Sequence, residues 1–265
     1  MSDDYEKGPQ HEGDSASVAL VRPLFHELFA HLTFSDSLCL SVQGTEQQRL
    51  NRSNFTYGES SLLALSRVLA ALSLPSYQCG CSGGGGVARG ARCGGCGRRV
   101  GGAVLFDLGS GVGNVVVGAA LLTAAGQVPL AAVHGVELLA PLHDAADAVL
   151  RRMRAHFAVA GDGAPLLPAP LPECGAHCAD LLQFDWSGAD VIYMASTIFT
   201  SEVMEQFSRQ AVERLAAGAR VVTLKTPLAH PAFVLEATLT VEMSWGTEFA
   251  HIHRNTWGAE LSALD

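Results

Sequence analysis

The chain is 265 residues long, 48% hydrophobic and only 16% charged, with a formal net charge of −9. These values exclude a disordered polypeptide, and the acidic balance argues against binding nucleic acid through an overall positive field. No apolar run reaches the roughly 18 residues of a membrane span, and the start Met1-Ser2-Asp3-Asp4 has neither the basic nor the apolar region of a secretory signal, so an intracellular chain with reduced cysteines and no membrane contact is expected.

Residues 1–14 are polar, acidic and aperiodic, and read as a flexible tail. From Ala16 onward, Val18, Val21, Leu24, Phe25, Leu28, Phe29 and Leu32 recur at helical spacing, with Ser15 or Ser17 as cap. A second helix is predicted after Ser60, through Leu62, Leu63, Leu65, Val68, Leu69 and Leu72, stopped by Pro75. Both precede any strand signal, so 15–78 is assigned to an N-terminal helical cap.

Residues 79–102 hold 11 glycines, four arginines (Arg89, Arg92, Arg98, Arg99) and no acid. Such a stretch builds no core and reads as an insertion between domains. Four thiolates from Cys79, Cys81, Cys93 and Cys96 would suit one tetrahedral zinc, but the C-x-C half is unusual. A compositionally biased insertion is the preferred account, and no metal is assigned. The arginines read as a solvated loop, with a weak contact to DNA or to an acidic histone surface left open.

Strands and helices then alternate, which assigns 103–265 to one domain. Strands are predicted over 103–109, 131–137, 175–180 (weak), 189–196 and 219–225. Helices are predicted over 112–126, 141–158 and 201–218, the last with Ser201 as cap and Gly218 at its end. The period changes to 2 over 234–245 and around 250–253, giving a terminal antiparallel pair. Such an order makes a three-layer α/β sandwich with a mostly parallel sheet.

The first strand ends in Asp107-Leu108-Gly109-Ser110-Gly111-Val112-Gly113-Asn114. A dinucleotide fingerprint, G-x-G-x-x-G, needs glycine at 114 and fails. An acid before the turn also suits a pyrophosphate poorly. S-adenosylmethionine carries no phosphate, and the glycines let backbone approach it closely. Asp107 offers negative charge to its cationic methionyl end. Glu137, at the end of the second strand, is placed to accept both ribose hydroxyls. Asp180 is placed to bond the adenine amino group, with Leu181 against the ring. Alone, Glu137 and Asp180 read equally as solvated strand-end acids. Together the set marks a class I, Rossmann-like S-adenosylmethionine-dependent methyltransferase fold.

Tyr57-Gly58-Glu59, DLGSGVGNVVV (107–117), GVE (135–137), ADVIYMASTIF (189–199) and VEMSW (241–245) resemble the disruptor-of-telomeric-silencing family. These are non-SET methyltransferases of a lysine in the globular core of histone H3. The resemblance runs from about residue 54 to 255, and the size is similar to that of the compact trypanosomatid members. It implies cofactor contacts at Tyr57, Gly58, Glu59 and Ser60, through Leu105, Phe106, Asp107, Leu108, Gly109, Ser110, Gly111, Val112, Gly113 and Asn114, and at Glu137, Asp180 and Leu181. It implies histone H3 or the nucleosome as partner and the nucleus as location. The chain departs from the family at Ala195, Ser196 and Thr197, where two Asn and a Phe are usual, and at Ala250-His251, where a tyrosine pair is usual. Phe199 persists.

Methyl transfer to an amine needs an aligned, neutral, desolvated nucleophile rather than an acid–base triad. Ser196, Thr197 and Phe199 are assigned to the lysine channel, and Trp245 and Phe249 are candidates that read equally well as core. His251 and His253 share a strand face and read as structural. Two alternatives stay open: another protein or a small molecule as acceptor, and a non-catalytic binding module on the same fold.

Overall fold

A computed structural model describes residues 15–48, 60–74, 102–159, 167–243 and 246–257. The N-terminal part forms α1 (Ala16–Phe29), α2 (Phe34–Gln47) and α3 (Leu62–Ala71). The remainder forms β1 (Ala103–Leu108), α4 (Asn114–Ala124), β2 (Leu130–Glu137), α5 (Ala140–Val159), β3 (Glu173–Cys178), β4 (Val191–Met194), α6 (Ser201–Arg214), β5 (Arg220–Leu224), β6 (Phe233–Met243) and β7 (Gly246–Asn255). The strands lie in the order β3-β2-β1-β4-β5-β7-β6. β1 to β5 pair in parallel, and β7 inserts antiparallel between β5 and β6. The expected class I methyltransferase topology is present. No helix among the described residues is long and apolar enough to cross a membrane.

Strand alternation splits the interior into two cores. Leu105, Val133, Val191, Tyr193 and Val222 face α1, α3, α4 and α5. Phe106, Leu108, Val136, Ile192, Met194 and Val221 face α6, through Phe207 and Ala211, and the fully buried Trp186. α4 is enclosed all round, so its sequence VVVGAALLTA carries no polar stripe. α1 and α3 pack directly on it. Ser15 caps α1 and Ser61 caps α3.

The strand bounds agree with the sequence reading to within a few residues, the weak strand at 175–180 forming two residues earlier. Three local readings are corrected. Thr200, one residue before Ser201, caps α6, its hydroxyl accepting from the Val203 N–H. α6 ends at Arg214, and Gly218 (φ +86°) serves the turn into β5 instead. Helix α2 was not foreseen. Its buried side chains are Ser37, Ser41 and Thr45, beside Gly44, so it has no apolar stripe. The signal present was a capping box: Thr33 accepts from Asp36 N–H while the Asp36 carboxylate accepts from Thr33 N–H. Small residues let α2 lie close on α5; a side chain at Gly44 would stand 2.9 Å from Leu139.

Both hairpin histidines are held by their neighbours. The His253 Nε2 accepts from Leu228 N–H, and its Nδ1–H donates to the Val221 carbonyl. The His251 Nε2–H donates to the Lys225 carbonyl and its Nδ1 accepts from the Thr238 hydroxyl.

Candidate functional site

The strand order reverses between β1 and β4, and the carboxyl ends of these strands open the crevice where such sheets bind ligands. The turn from β1 into α4 forms its floor. Gly109, Gly111 and Gly113 have φ of +82°, +54° and +89°, conformations that side-chain-bearing residues rarely take. Gly109 N–H and Ser110 N–H both donate to the Val136 carbonyl, at 2.8 and 3.1 Å, which pins the turn to the end of β2. Phe199 closes over it: a side chain at Gly109 would meet the Phe199 ring at 3.1 Å.

Glu137 ends β2 and reaches back to the turn. One carboxylate oxygen accepts from Gly111 N–H at 2.9 Å and the other from Leu139 N–H at 2.8 Å. Each oxygen keeps a lone pair for a ligand. Burial pushes the Glu137 carboxyl up, and these backbone donors pull it back. Asp107 is buried on β1, beside Gly135 on one side and Tyr193 on the other. Burial, and then the Glu137 carboxylate, push its carboxyl well above the usual carboxylate range. Two carboxyls buried side by side call for a cation, and no basic side chain among the described residues offsets Asp107. A third buried polar atom, the Asn114 Oδ1 at the start of α4, has no hydrogen-bond partner among the described residues. These acceptors fit a ligand that carries a positive charge and hydrogen-bond donors.

The other predicted residues are distributed as follows. Leu105 and Phe106 bury their side chains in the two cores on opposite faces of the sheet. Leu108 and Val112 are buried in separate cores. Asp180 stands two residues beyond β3 and starts a turn, its carboxylate accepting from Leu182 N–H and the Gln183 side chain. Leu181 packs against the second core, and its carbonyl accepts from the Trp186 indole. Ser196 is buried and donates to the Leu224 carbonyl at 2.9 Å. Ser196, Thr197 and Ile198 form one 3₁₀ turn at the end of β4. Phe249, 52% exposed, borders the same end of the sheet, its carbonyl accepting from Lys225 N–H. Ser60 is buried against Tyr193. Tyr57, Gly58, Glu59, Trp245 and the four cysteines at 79, 81, 93 and 96 lie outside the described residues. Among the described residues no group of three or more His, Cys, Asp or Glu could hold a metal.

The glycine at 135 carries a role that spacing alone did not reveal. A Cβ there would stand 2.6 Å from the Ser110 hydroxyl and 2.9 Å from Val116. A bare strand position therefore seats the glycine turn from beneath. Its backbone is otherwise ordinary, so the effect is purely steric. Gly135→Ala is expected to destabilise the fold by about 1–3 kcal/mol and to displace Ser110, lowering the melting temperature and weakening ligand binding together. Thermal unfolding with and without ligand measures both.

The family model described as histone methylation protein DOT1 matches residues 101–244. Solved structures with a similar course of chain include an RNA methyltransferase from Salinibacter ruber in complex with S-adenosyl-L-homocysteine. It is 20% identical, with a TM-score of 0.41 over 58% of this chain and 81% of its own. Magnesium protoporphyrin IX methyltransferase from Synechocystis PCC 6803, with bound SAM, is 13% identical, with a TM-score of 0.44 over 93% of this chain and 100% of its own. No curated protein matches the sequence significantly.

Proposed function

This chain belongs to the histone methylation protein DOT1 family, and from that premise we propose that it transfers methyl groups from S-adenosylmethionine to a lysine in the globular core of histone H3. The observation that carries the reading is the pairing of a matched family segment with two buried carboxyls, Asp107 and Glu137, gathered at one glycine turn.

When bound, S-adenosylmethionine supplies an electrophilic methyl group. The protein's part is to bind, orient and exclude water. Glu137 accepts from the ribose hydroxyls with the lone pairs its backbone bonds leave free. Asp107 faces the cationic methionyl end, whose charge stabilises its ionised form. Asn114 Oδ1, without a partner among the described residues, would accept from the same end. Asp180 bonds the adenine amino group and Leu181 covers the ring. The family resemblance assigns Tyr57, Gly58, Glu59 and Ser60 to the cofactor contacts as well.

Phe199 and Thr197 are assigned to one wall of the lysine channel and Phe249 to the other, with Trp245 a further candidate from the sequence alone. A lysine amine, with an ordinary pKa near ~10.4, must enter neutral; an apolar channel disfavours its charged form. Ser196 spends its proton on Leu224, so its oxygen is free to accept from the amine. The acidic balance suits a basic partner. Histone H3 within the nucleosome, in the nucleus, supplies that partner, with the arginines of 89–99 as a weak DNA contact.

Incubation with labelled S-adenosylmethionine and either nucleosomes or free histones, read by mass spectrometry, tests the reading. Methylation of a lysine in the H3 globular core is expected. Label on other proteins or on small molecules, and never on H3, overturns it.

A further inference from the structure

Tyr193 stands at the third position of β4, in a run of Val191, Ile192 and Met194 that is otherwise apolar, and it is 1% exposed. An apolar residue would fill that place without a polar group to satisfy, and burying an unpartnered hydroxyl costs about 1–3 kcal/mol. Among the described residues the phenol has one partner: the Ser60 hydroxyl, 2.8 Å away. Ser60 is itself buried and is held twice more. Its backbone bridges Met243 at the end of β6, and its neighbour Ser61 donates to the Glu242 carbonyl. The start of α3 is thus tied to β4 and β6 together.

The same tyrosine pairs in register with Asp107 on the neighbouring strand, and both side chains point to the face covered by α3 and α4. The Asp107 charge reaches the phenol, which burial already holds well above its ordinary range. The Tyr193–Ser60 bond therefore spans the distance between the acid of the crevice and the chain that enters α3. Neither residue needs this bond for its own secondary structure, since Ser61 caps α3 and β4 pairs through its backbone.

We infer that Tyr193 is a positioning residue for the cofactor: its hydroxyl, through Ser60, fixes the entry to α3 against the Asp107 wall of the crevice. The inference rests on the cofactor reading above. Removing either hydroxyl leaves the other buried without a partner, so both ends of the tether loosen in either variant.

Tyr193→Phe, Ser60→Ala and the double variant of the full chain are compared by calorimetry with S-adenosylmethionine and by thermal unfolding without it. Each single change is expected to weaken binding about 5- to 10-fold, the scale of one buried hydrogen bond. The double variant is expected to bind no worse than the poorer single one, because one bond is lost in all three. Steady-state assays of Tyr193→Phe are expected to show a higher KM for the cofactor with kcat within about twofold. Affinities within twofold of the unsubstituted protein, with only the melting temperature lowered, overturn the inference and leave the bond as plain scaffolding. Additive losses overturn it as well. Should Tyr193→Phe not fold, affinity within twofold for Ser60→Ala overturns the inference on its own. Absence of cofactor binding by the unsubstituted protein overturns the cofactor reading, and this inference with it.

Discussion

Glu137→Ala is expected to weaken S-adenosylmethionine binding by about 100-fold or more. The carboxylate has two tasks. It accepts from Gly111 N–H and Leu139 N–H, which hold the glycine turn and the start of α5 in place, and it offers its remaining lone pairs to the ribose. Hydrogen bonds to a charged group contribute roughly 1.5–3 kcal/mol each, and two to a diol amount to at least the ~2.7 kcal/mol that a hundredfold change requires. Two buried N–H groups are also left without partners, so the melting temperature falls even without ligand. Glu137→Gln separates the tasks. One amide oxygen keeps one acceptor, while the NH₂ group faces a backbone N–H where the carboxylate had accepted. This variant is expected to fold better than the alanine and to bind only slightly better. Calorimetry and thermal unfolding on both variants give the comparison. Full affinity in Glu137→Ala would remove the ribose from this residue.

Much of this arrangement is visible in the chain itself, for a definite reason. β1 and β2 are short apolar runs that end in acids, and a turn requiring three positive φ values is written as three glycines. Local backbone sterics impose those letters whatever the surroundings. Helix α2 is legible only through Thr33 and Asp36, because its contact with α5 selects small residues in place of apolar ones. Gly135 lies in a strand where its absent side chain matters only once Ser110 is seen to occupy the space. Tyr193 reads as one more apolar strand residue until Ser60, 133 positions earlier, arrives at its hydroxyl. Ser196 reads as a free polar group at a strand end, whereas its hydroxyl donates to Leu224 on the next strand. In each of these cases the deciding partner is remote in sequence, and no local pattern encodes it.

The same distinction governs Asp107, whose letter suggests a negative charge and whose surroundings oppose one. Asp107→Asn is expected to leave the empty protein at least as stable as the unsubstituted one above neutral pH, while weakening cofactor binding by about 30-fold or more, the scale of one charged hydrogen bond. An unfolded aspartate has a pKa near ~3.9; here burial and Glu137 raise it well above that range. A raised folded pKa means that the stabilising contribution is complete below the unfolded pKa and is lost as pH rises through the folded one. Asparagine never ionises, so the variant lacks that loss, and its stability curve is the flatter of the two from the unfolded pKa up to the folded one. A cationic ligand reverses the balance, since its charge favours the carboxylate. Below the folded pKa, binding to the unsubstituted protein is therefore expected to release a proton, and affinity is expected to rise with pH until the empty site is itself ionised. Calorimetry in buffers of different ionisation enthalpy counts that proton, and Asp107→Asn should release none. Proton release that persists in the variant would assign the linkage to Glu137 instead. Affinity independent of pH in the unsubstituted protein would mean that Asp107 stays neutral beneath the ligand, acting as a hydrogen-bond donor rather than a counter-ion.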